Sequence, residues 1–117
     1  RKAIQNYLFH DVKDYSSENQ TAILKILGDL YEVIDDGVGI ELRYMDGLEK
    51  NISVAPMEIF FENQNFYLVA AVKNKLDDIR RFEIRRIISF IIRKDNDVRK
   101  LRFEYLHNEH VEGGYYV

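Results

Sequence analysis

The spacing of apolar side chains predicts one helix near the start of the chain. Four apolar residues recur three or four positions apart and so share one helix face: Ile23, Leu27, Leu30 and Ile34. The preceding Ser17-Glu18-Asn19-Gln20 has the form of a capping box, with Ser17 as the N-cap. Gly37 suits the left-handed residue that ends many helices. We therefore predict a helix between these two signals.

After the helix the apolar period changes to two, which indicates a strand with one buried face. Ile40, Leu42 and Tyr44 lie on that face. Asp46-Gly47 predicts a hairpin turn into a second strand. This second strand should stop at Pro56, because proline cannot donate a hydrogen bond to a ladder.

Further apolar segments predict additional strands. Ile59-Phe60-Phe61 begins a third strand, and Phe66–Val72 is nearly all apolar and therefore central. The β-branched segment Ile79–Ile92 is too long for one ordinary strand, so we predict a bend near Ile87-Ile88-Ser89. Residues 101–105 fit either a strand or a helix, and we predict a strand.

These elements define a mainly β fold with an N-terminal helix. The segment after Gly113-Gly114 should be loosely held. A small sheet of about five strands avoids exposed edges best by closing on itself. We therefore predict a small β-barrel.

Composition narrows the class of protein. The chain has 117 residues, of which 46% are apolar, and this favours one globular domain. No apolar run approaches the length of a membrane span, and the first residues lack the pattern of a secretory signal. The absence of cysteine excludes disulfides, thiol catalysis and thiolate metal sites, and it fits a cytoplasmic location.

The formal net charge of −3 conceals a division along the chain. Residues 1–79 carry 8 basic and 14 acidic side chains, whereas residues 80–102 carry nine basic and three acidic ones. Residues 103–117 have a net charge of −3. The local surplus allows a polyanionic partner that the total charge argues against. Basic residues in strands often simply face water, and this second interpretation stays open.

No arrangement of residues predicts catalysis or a metal site. His107 and His110 are three positions apart, but no third ligand follows at a recognised spacing. No serine lies in a Gly-x-Ser-x-Gly elbow, and the glycine-rich phosphate loops are absent. We therefore predict that the protein is not an enzyme, and we expect no metal and no cofactor.

The run from Arg80 to Ile87 carries the most informative chemistry. Two arginines and two apolar residues would share one side of an extended strand: Arg80, Phe82, Ile84 and Arg86. The opposite side would hold a self-compensated polar set that suits solvent: Arg81, Glu83 and Arg85. Arginine is rarely buried unpaired. Arg80 and Arg86 therefore either pair with internal acids, such as Glu41 or Asp78, or flank a surface that receives an anion. Arginine forks bind phosphate, and aromatic rings stack on bases.

At these residues the sequence resembles a WYL domain. The family is named for a Trp-Tyr-Leu run, where this chain has Phe66-Tyr67-Leu68. A strand ending in Tyr44 and the step Val54-Ala55-Pro56 precede it. Four positions match the family signature Arg-x-Phe-x-x-x-Arg-Ile: Arg80, Phe82, Arg86 and Ile87. The resemblance covers residues 22–92.

The resemblance implies a fold and a division of the chain. The fold would be an Sm-like or SH3-like barrel of about five strands behind an N-terminal helix. Residues 1–16 would be a linker or the remnant of an upstream region, and residues 17–93 the WYL-like domain. Residues 94–117 would be a C-terminal extension.

The resemblance also implies a function. WYL domains mostly follow a helix-turn-helix in bacterial transcription regulators, where they sense a ligand, often a nucleotide or single-stranded nucleic acid. The positions carried over as ligand-binding residues are Tyr44, Lys50, Tyr67, Arg80, Phe82 and Arg86. Lys50 is included as the nearest substitute for a basic residue that the family usually has before the Val-x-Pro step.

The partners expected on this basis are the ligand, DNA and a second copy. DNA would be bound through a helix-turn-helix region missing from this chain, the protein would be a homodimer, and no membrane partner is expected. The alternative is a structural dimerisation or protein-interaction module without a small ligand, in which the arginines form internal salt bridges.

Overall fold

The computed structural model describes residues 17–94, 97–108 and 114–117. Its helices are α1 (Ser17–Asp36) and α2 (Val98–His107), and a 3-10 turn covers Ile84–Arg86. Its strands are β1 (Gly39–Asp46), β2 (Leu48–Glu62), β3 (Asn65–Val72), β4 (Ile79–Glu83), β5 (Ile87–Arg93) and β6 (Tyr115–Tyr116). The predictions for residues 1–16 and for His110 lie outside the described residues.

The strands form one six-stranded sheet in the order β5-β1-β2-β3-β4-β6. β1 to β5 pair with antiparallel neighbours, and β6 joins β4 in parallel. The mainly β fold with an N-terminal helix is confirmed. The closed barrel is wrong, because β6 occupies the outer edge of β4 and the sheet remains open.

Helix α1 forms where the apolar spacing predicts it and covers one face of the sheet, which we call the α1 face. Gly37 ends the helix with a φ of 68°, and its N–H donates to the carbonyl of Val33 at 3.0 Å. The buried side chains of this face form the larger core. Its members come from the helix and from alternate strand positions, among them Leu27, Leu30, Ile40, Leu42, Tyr44, Val54, Leu68, Ala70, Phe82, Ile84 and Ile87.

Strand β2 is a single strand of 15 residues, where the sequence predicts two. It pairs with β1 as far as Val54 and with β3 from Val54 onward. Pro56 lies just past the last β1 partner, and the ladder with β3 shifts register between Pro56 and Glu58. The predicted stop at Pro56 is wrong because proline is tolerated where one ladder has ended and the other bulges.

The long basic segment is interrupted twice: the β1–β5 ladder shifts register between Ile87 and Ser89, where a bend is predicted, and a 3-10 turn that the sequence does not predict comes just before it. β4 ends at Glu83, and the 3-10 turn leads directly into β5 at Ile87. Ile84 and Ile87 are both fully buried, and a turn places two residues three positions apart on the same side. The strand alternation therefore stops at Glu83. The sequence predicts Arg80 and Arg86 on the same side of one extended strand, and this prediction is wrong because Arg86 lies in the 3-10 turn.

Residues 98–107 form helix α2, where the sequence predicts a strand. The spacing of Val98, Leu101 and Tyr105 places all three on the smaller core of the opposite face, which we call the α2 face. The fully or nearly buried side chains of this core are Ala55, Met57, Val69, Ala71, Ile79 and Val98. Burial against small alanines resolves the ambiguity in favour of the helix.

Residues 114–117, which we call the β6 segment, are held against β4. Tyr115 lies opposite Arg80, and Tyr116 lies opposite Arg81. The N–H of Val117 donates to the carbonyl of Arg81 at 2.9 Å. Main-chain pairing and ring contacts thus place on the edge of the sheet a segment that the sequence predicts to be loosely held, although both tyrosine side chains stay exposed.

Candidate ligand-binding site

Two of the predicted site residues, Tyr44 and Phe82, lie inside the core of the α1 face. Both side chains are fully buried. Their rings meet edge to face, with centroids 5.1 Å apart and an interplanar angle of 82°, an arrangement that aromatic pairs favour. The two rings therefore pack on the α1 face of the sheet, beneath the part of β4 that carries Arg80 and Arg81.

The Tyr44 hydroxyl joins two main-chain segments at that edge. It accepts a hydrogen bond from the N–H of Glu83 at 2.9 Å and donates one to the main-chain oxygen of Val117 at 3.0 Å. Burial raises the pKa of Tyr44 well above its usual value. The hydroxyl therefore stays protonated and keeps both roles.

Arg80 is held by one carboxylate and one ring. Its Nε and Nη2 donate to the two Asp78 carboxylate oxygens at 2.9 and 3.0 Å, and its guanidinium lies 5.4 Å from the centre of the Tyr115 ring. The hydrogen bond with Asp78 raises the pKa of Arg80 and lowers the pKa of Asp78. The internal pairing with Asp78 that the sequence left open as an alternative is therefore present.

Arg86 shares a carboxylate with its neighbour. Both Arg85 and Arg86 form salt bridges with Glu83, and Arg86 Nη1 also lies 3.5 Å from the carbonyl oxygen of Met45. Burial opposes the charge of Arg86, but the hydrogen bond that Arg86 donates to Glu83 and the negative charge of Glu83 together outweigh it, so the pKa of Arg86 is raised. Two guanidinium groups around one carboxylate leave a surplus of one positive charge.

The two remaining predicted site residues, Lys50 and Tyr67, do not lie in the core beside Tyr44 and Phe82. Lys50 is exposed and lies 3.3 Å from the Asp46 carboxylate at the β1–β2 hairpin. Tyr67 lies in β3 directly opposite Glu83 of β4. Directly opposed residues share a face of a sheet. Tyr67 therefore belongs to the α2 face, across the sheet from Tyr44 and Phe82.

The structure brings Tyr67 together with residues that the sequence analysis leaves to solvent. On the α2 face at β4, two rings lie against Arg81, a third ring contacts both of them, and Glu83 follows along the strand. We call this group the Arg81 face, and its members are Phe60, Tyr67, Arg81, Glu83 and Tyr116. The guanidinium of Arg81 lies 5.1 Å from the Phe60 ring centre and 5.0 Å from the Tyr116 ring centre.

The rings of the Arg81 face also contact one another. Phe60 and Tyr67 stack with centroids 5.0 Å apart and an angle of 16°, and Tyr67 meets Tyr116 at 5.0 Å and 58°. The Tyr116 hydroxyl accepts from Arg81 Nη1 at 2.9 Å and donates to the Glu62 carboxylate. This last bond raises the pKa of Tyr116.

Helix α2 borders this face. Tyr105 lies near Glu58 and Arg81, and burial raises the pKa of Tyr105, with the negative charge of Glu58 adding to the effect. Arg102 donates to the carbonyl of Met57 at 2.9 Å and so ties α2 to β2. Beside the helix, Arg81 and Phe60 are half-buried, Tyr67 is buried and Tyr116 is exposed.

Two grooves elsewhere have a different character. One is largely apolar and lies at the start of α1, with Ile23, Phe61 and Phe66 in its lining. The other runs between α1 and β5, and its polar lining is mainly acidic. Neither groove contains an arginine, so neither suits an anionic ligand.

Simple periodicity could not identify Arg81. The alternation of Arg81, Glu83 and Arg85 predicts a self-neutralised solvent face. The 3-10 turn and the β6 segment make this side of β4 a half-buried aromatic cluster instead. The available signal was the aromatic content of Phe60 and Tyr67 at opposed positions of a β2–β3 hairpin, together with the two tyrosines at 115–116.

The described residues contain no group of three His, Asp or Glu side chains placed to hold a metal ion. His107, whose metal-binding role the sequence argues against, stacks on Phe103 at 4.1 Å. Within the same described ranges, neither helix is long and apolar enough to cross a membrane.

Comparisons with known proteins bear on the family. The structure is similar to that of proteasome accessory factor B/C (PafBC) of Arthrobacter aurescens, with a TM-score of 0.59 and 16% sequence identity. The match covers 89% of this chain and 15% of that chain, and at this identity it concerns the fold alone. No curated protein matches the sequence. The family model described as "WYL domain" matches residues 25–92, more than half of the chain, so the chain belongs to the WYL domain family.

Proposed function

We propose that this chain is the ligand-sensing domain of a bacterial transcription regulator, and that it binds a nucleotide or single-stranded nucleic acid on the Arg81 face. The regulator role is supported by membership of the WYL family. DNA binding would come from a helix-turn-helix region missing from this chain, in a protein expected to be a homodimer. Two observations carry the ligand: Arg81 lies against an aromatic cluster that includes Phe60 and Tyr67, and Arg85 and Arg86 both pair with Glu83 at the end of β4.

The arginines supply the phosphate contacts. Arg85 and Arg86 converge on Glu83, so their combined charge exceeds that of the carboxylate between them. The N–H groups of an arginine side chain can donate two parallel hydrogen bonds to the oxygens of a phosphate. Arg86, a predicted site residue, is therefore the proposed phosphate contact.

The rings supply the base contacts. Every nucleobase offers a flat surface that stacks on aromatic side chains without regard to sequence. Tyr67, a predicted site residue, is 8% exposed and stacks on the half-buried Phe60, and a base would contact this pair where Phe60 borders Arg81. Tyr44 and Phe82 would support this surface from the core, and Arg80 would hold the adjacent edge. Lys50 lies in β2 opposite Tyr44, pairs with Asp46 and receives no ligand contact in this proposal.

The proposal is tested by the fluorescence anisotropy of a short labelled single-stranded DNA, titrated at low and high salt. Arg86→Ala should weaken binding by ~1–3 kcal/mol, the loss expected for one charged hydrogen-bond partner. Wild-type affinity should fall as salt rises, because phosphate binding releases counterions. Competition by an unlabelled mononucleotide would separate a nucleotide sensor from a strand binder.

A matched control is Arg43→Ala. Arg43 also pairs with one glutamate, Glu49, at 2.8 Å, but it lies on β1 away from β4. Its loss should leave the affinity unchanged. Equal effects of the two substitutions, or binding that ignores salt, would contradict the proposed site.

The internal salt bridges favour a second candidate, a protein-interaction module without a small ligand. Asp78 and Glu83 between them engage three arginines. If these pairs are only structural, nucleotides and oligonucleotides should leave the melting temperature unchanged, because only a ligand that prefers the folded state raises it. A stable oligomer in size-exclusion chromatography with light scattering would then support this candidate.

A further inference from the structure

The β6 segment lies on the surface that the proposed ligand would use. It pairs with β4 alone, in parallel, at the outer edge of the sheet. Each of its last three residues contacts a different part of the site. The Tyr115 ring lies against the guanidinium of Arg80, and the Tyr116 ring lies against that of Arg81. The main-chain oxygen of Val117 accepts a hydrogen bond from the Tyr44 hydroxyl.

The place taken by the Tyr116 ring has the chemistry of a base-binding seat. Tyr67 provides an aromatic surface, Arg81 provides a cation against the ring, and Glu62 accepts a hydrogen bond from the hydroxyl. A nucleobase presents the same features, because it is a flat ring with N–H donors on its edge. Tyr116 therefore occupies the space and the contacts that a stacked base would need.

The hold on this segment is limited. Tyr115 and Tyr116 remain 56% and 44% exposed, and β6 is only two residues long. Segments with few buried contacts open locally at much lower cost than the core. The contacts that hold the β6 segment are main-chain pairing with β4, the Tyr44 hydroxyl, packing of Val117 on the α1 face and the contacts of the Tyr115 and Tyr116 side chains. The Tyr116 contacts are those that a bound base would replace.

We propose that residues 114–117 act as an intramolecular competitor, in which the Tyr116 ring occupies the base seat of the Arg81 face and must leave before the ligand's base can enter. This inference rests on the proposed function and adds its regulation. Ligand binding would release the β6 segment from the edge of β4. Binding at the site would thereby be converted into a movement of the chain that another part of the protein can sense.

Gly114 offers a variant that detaches the segment without altering the seat. Its φ is 79°, and a Cβ there would lie 1.9 Å from the carbonyl oxygen of Ile79, a main-chain atom that cannot move aside easily. Gly47 is a matched control. Its φ is 73°, but a Cβ at Gly47 meets no atom within 4 Å.

The experiment measures the affinity of the labelled single-stranded DNA for the full chain carrying Gly114→Ala, Tyr116→Ser or Gly47→Ala. Gly114→Ala should bind about tenfold more tightly than wild type, as expected when the closed form leaves about a tenth of the molecules competent. Tyr116→Ser removes the ring even if the segment stays paired, and it should also bind more tightly. Gly47→Ala should match wild type.

A second readout follows the segment itself. In wild type, hydrogen exchange at the Val117 N–H, which donates to Arg81, should accelerate when the DNA is added. In Gly114→Ala it should be fast from the start.

The outcomes separate this inference from the proposed function. Equal, measurable affinities for all variants would overturn the competitor while leaving the ligand site in place. Weaker binding by Gly114→Ala and Tyr116→Ser would make the β6 segment part of the binding surface and would also overturn it. Absence of binding by every variant would overturn both proposals.

Discussion

The two faces of the sheet are built from the same strands but differ in how completely they are covered. On the α1 face, a helix of 20 residues buries large side chains, including Leu30, Tyr44 and Phe82. On the α2 face, a helix of 10 residues covers a smaller core that includes two alanines. The α2 core includes Ile79 at the start of β4, whereas Arg81, two residues farther along the strand, remains partly exposed.

This difference assigns most of the stability of the fold to the α1 face and the proposed ligand contacts to the α2 face. Area removed from water stabilises a fold in proportion to its apolar content, and the α1 face supplies most of it. The α2 face leaves Arg81 half-buried against aromatic rings, and this is the surface assigned to the proposed ligand. Of the residues carried over from the family, Tyr44 and Phe82 belong to the first face, and Tyr67 belongs to the second.

The sharpest contrast between the faces should appear when one large ring is removed from each. Phe82→Ala should lower the free energy of unfolding by ~3–5 kcal/mol, because it opens a cavity in a fully buried core. Phe60→Ala, on the partly exposed α2 face, should cost only about 1 kcal/mol. Urea denaturation of both variants measures the two losses. Equal losses would show that the faces do not differ as described.

The Tyr44 hydroxyl is the polar link between the α1 face and the β6 segment. Tyr44→Phe should lower the free energy of unfolding by ~1–3 kcal/mol, because it leaves the Glu83 N–H without its acceptor. It should also speed hydrogen exchange at the Val117 N–H, measured by NMR. Tyr31→Phe is the control, because it removes the same hydroxyl group from an exposed position of α1. If Tyr44→Phe lowers the free energy of unfolding no more than Tyr31→Phe does, the Tyr44 hydroxyl does not link the two segments.

The smallest effect is expected at the edge of β4, where Asp78 pairs with Arg80. Asp78→Asn should lower the free energy of unfolding by less than ~1 kcal/mol near neutral pH, as is usual for partly exposed pairs. The Arg80 hydrogen bond holds the pKa of Asp78 below its usual value in the folded state. The stabilisation is therefore present above about pH 4 and is lost as the pH falls through the lowered pKa.

Urea denaturation of wild type and Asp78→Asn across this acidic range checks the direction of the effect. The difference between the two proteins should shrink as the pH falls. A difference that grows on acidification would contradict the assigned ion pair.

Much of the fold follows from local signals in the sequence. The i, i+4 apolar spacing and Gly37 define α1, and Asp46-Gly47 defines the first hairpin. Elements that depend on distant partners were harder to predict. Helix α2 is decided by burial against Met57 and its neighbours, and the passage of β2 through Pro56 is decided by where β1 ends.

The site was predictable in part. The family signature leads to β4, and the run of arginines indicates its charge. Alternation alone could not show that the 3-10 turn separates Arg86 from Arg80. Nor could it show that Tyr116, 35 positions after Arg81, completes the ring cluster. The sequence therefore indicates the strand that carries the proposed site, whereas the ring cluster lies on the side of that strand that the sequence assigns to solvent.

The most direct test of the central claim is an NMR titration of the isotope-labelled chain with short single-stranded DNA. The largest amide shift changes should fall at Tyr67, Arg81 and Glu83 and in the β6 segment. The exposed side of α1, represented by Leu24 and Tyr31, should be unaffected. Changes centred on α1, or no changes at saturating DNA, would contradict the assignment of the ligand site to the Arg81 face.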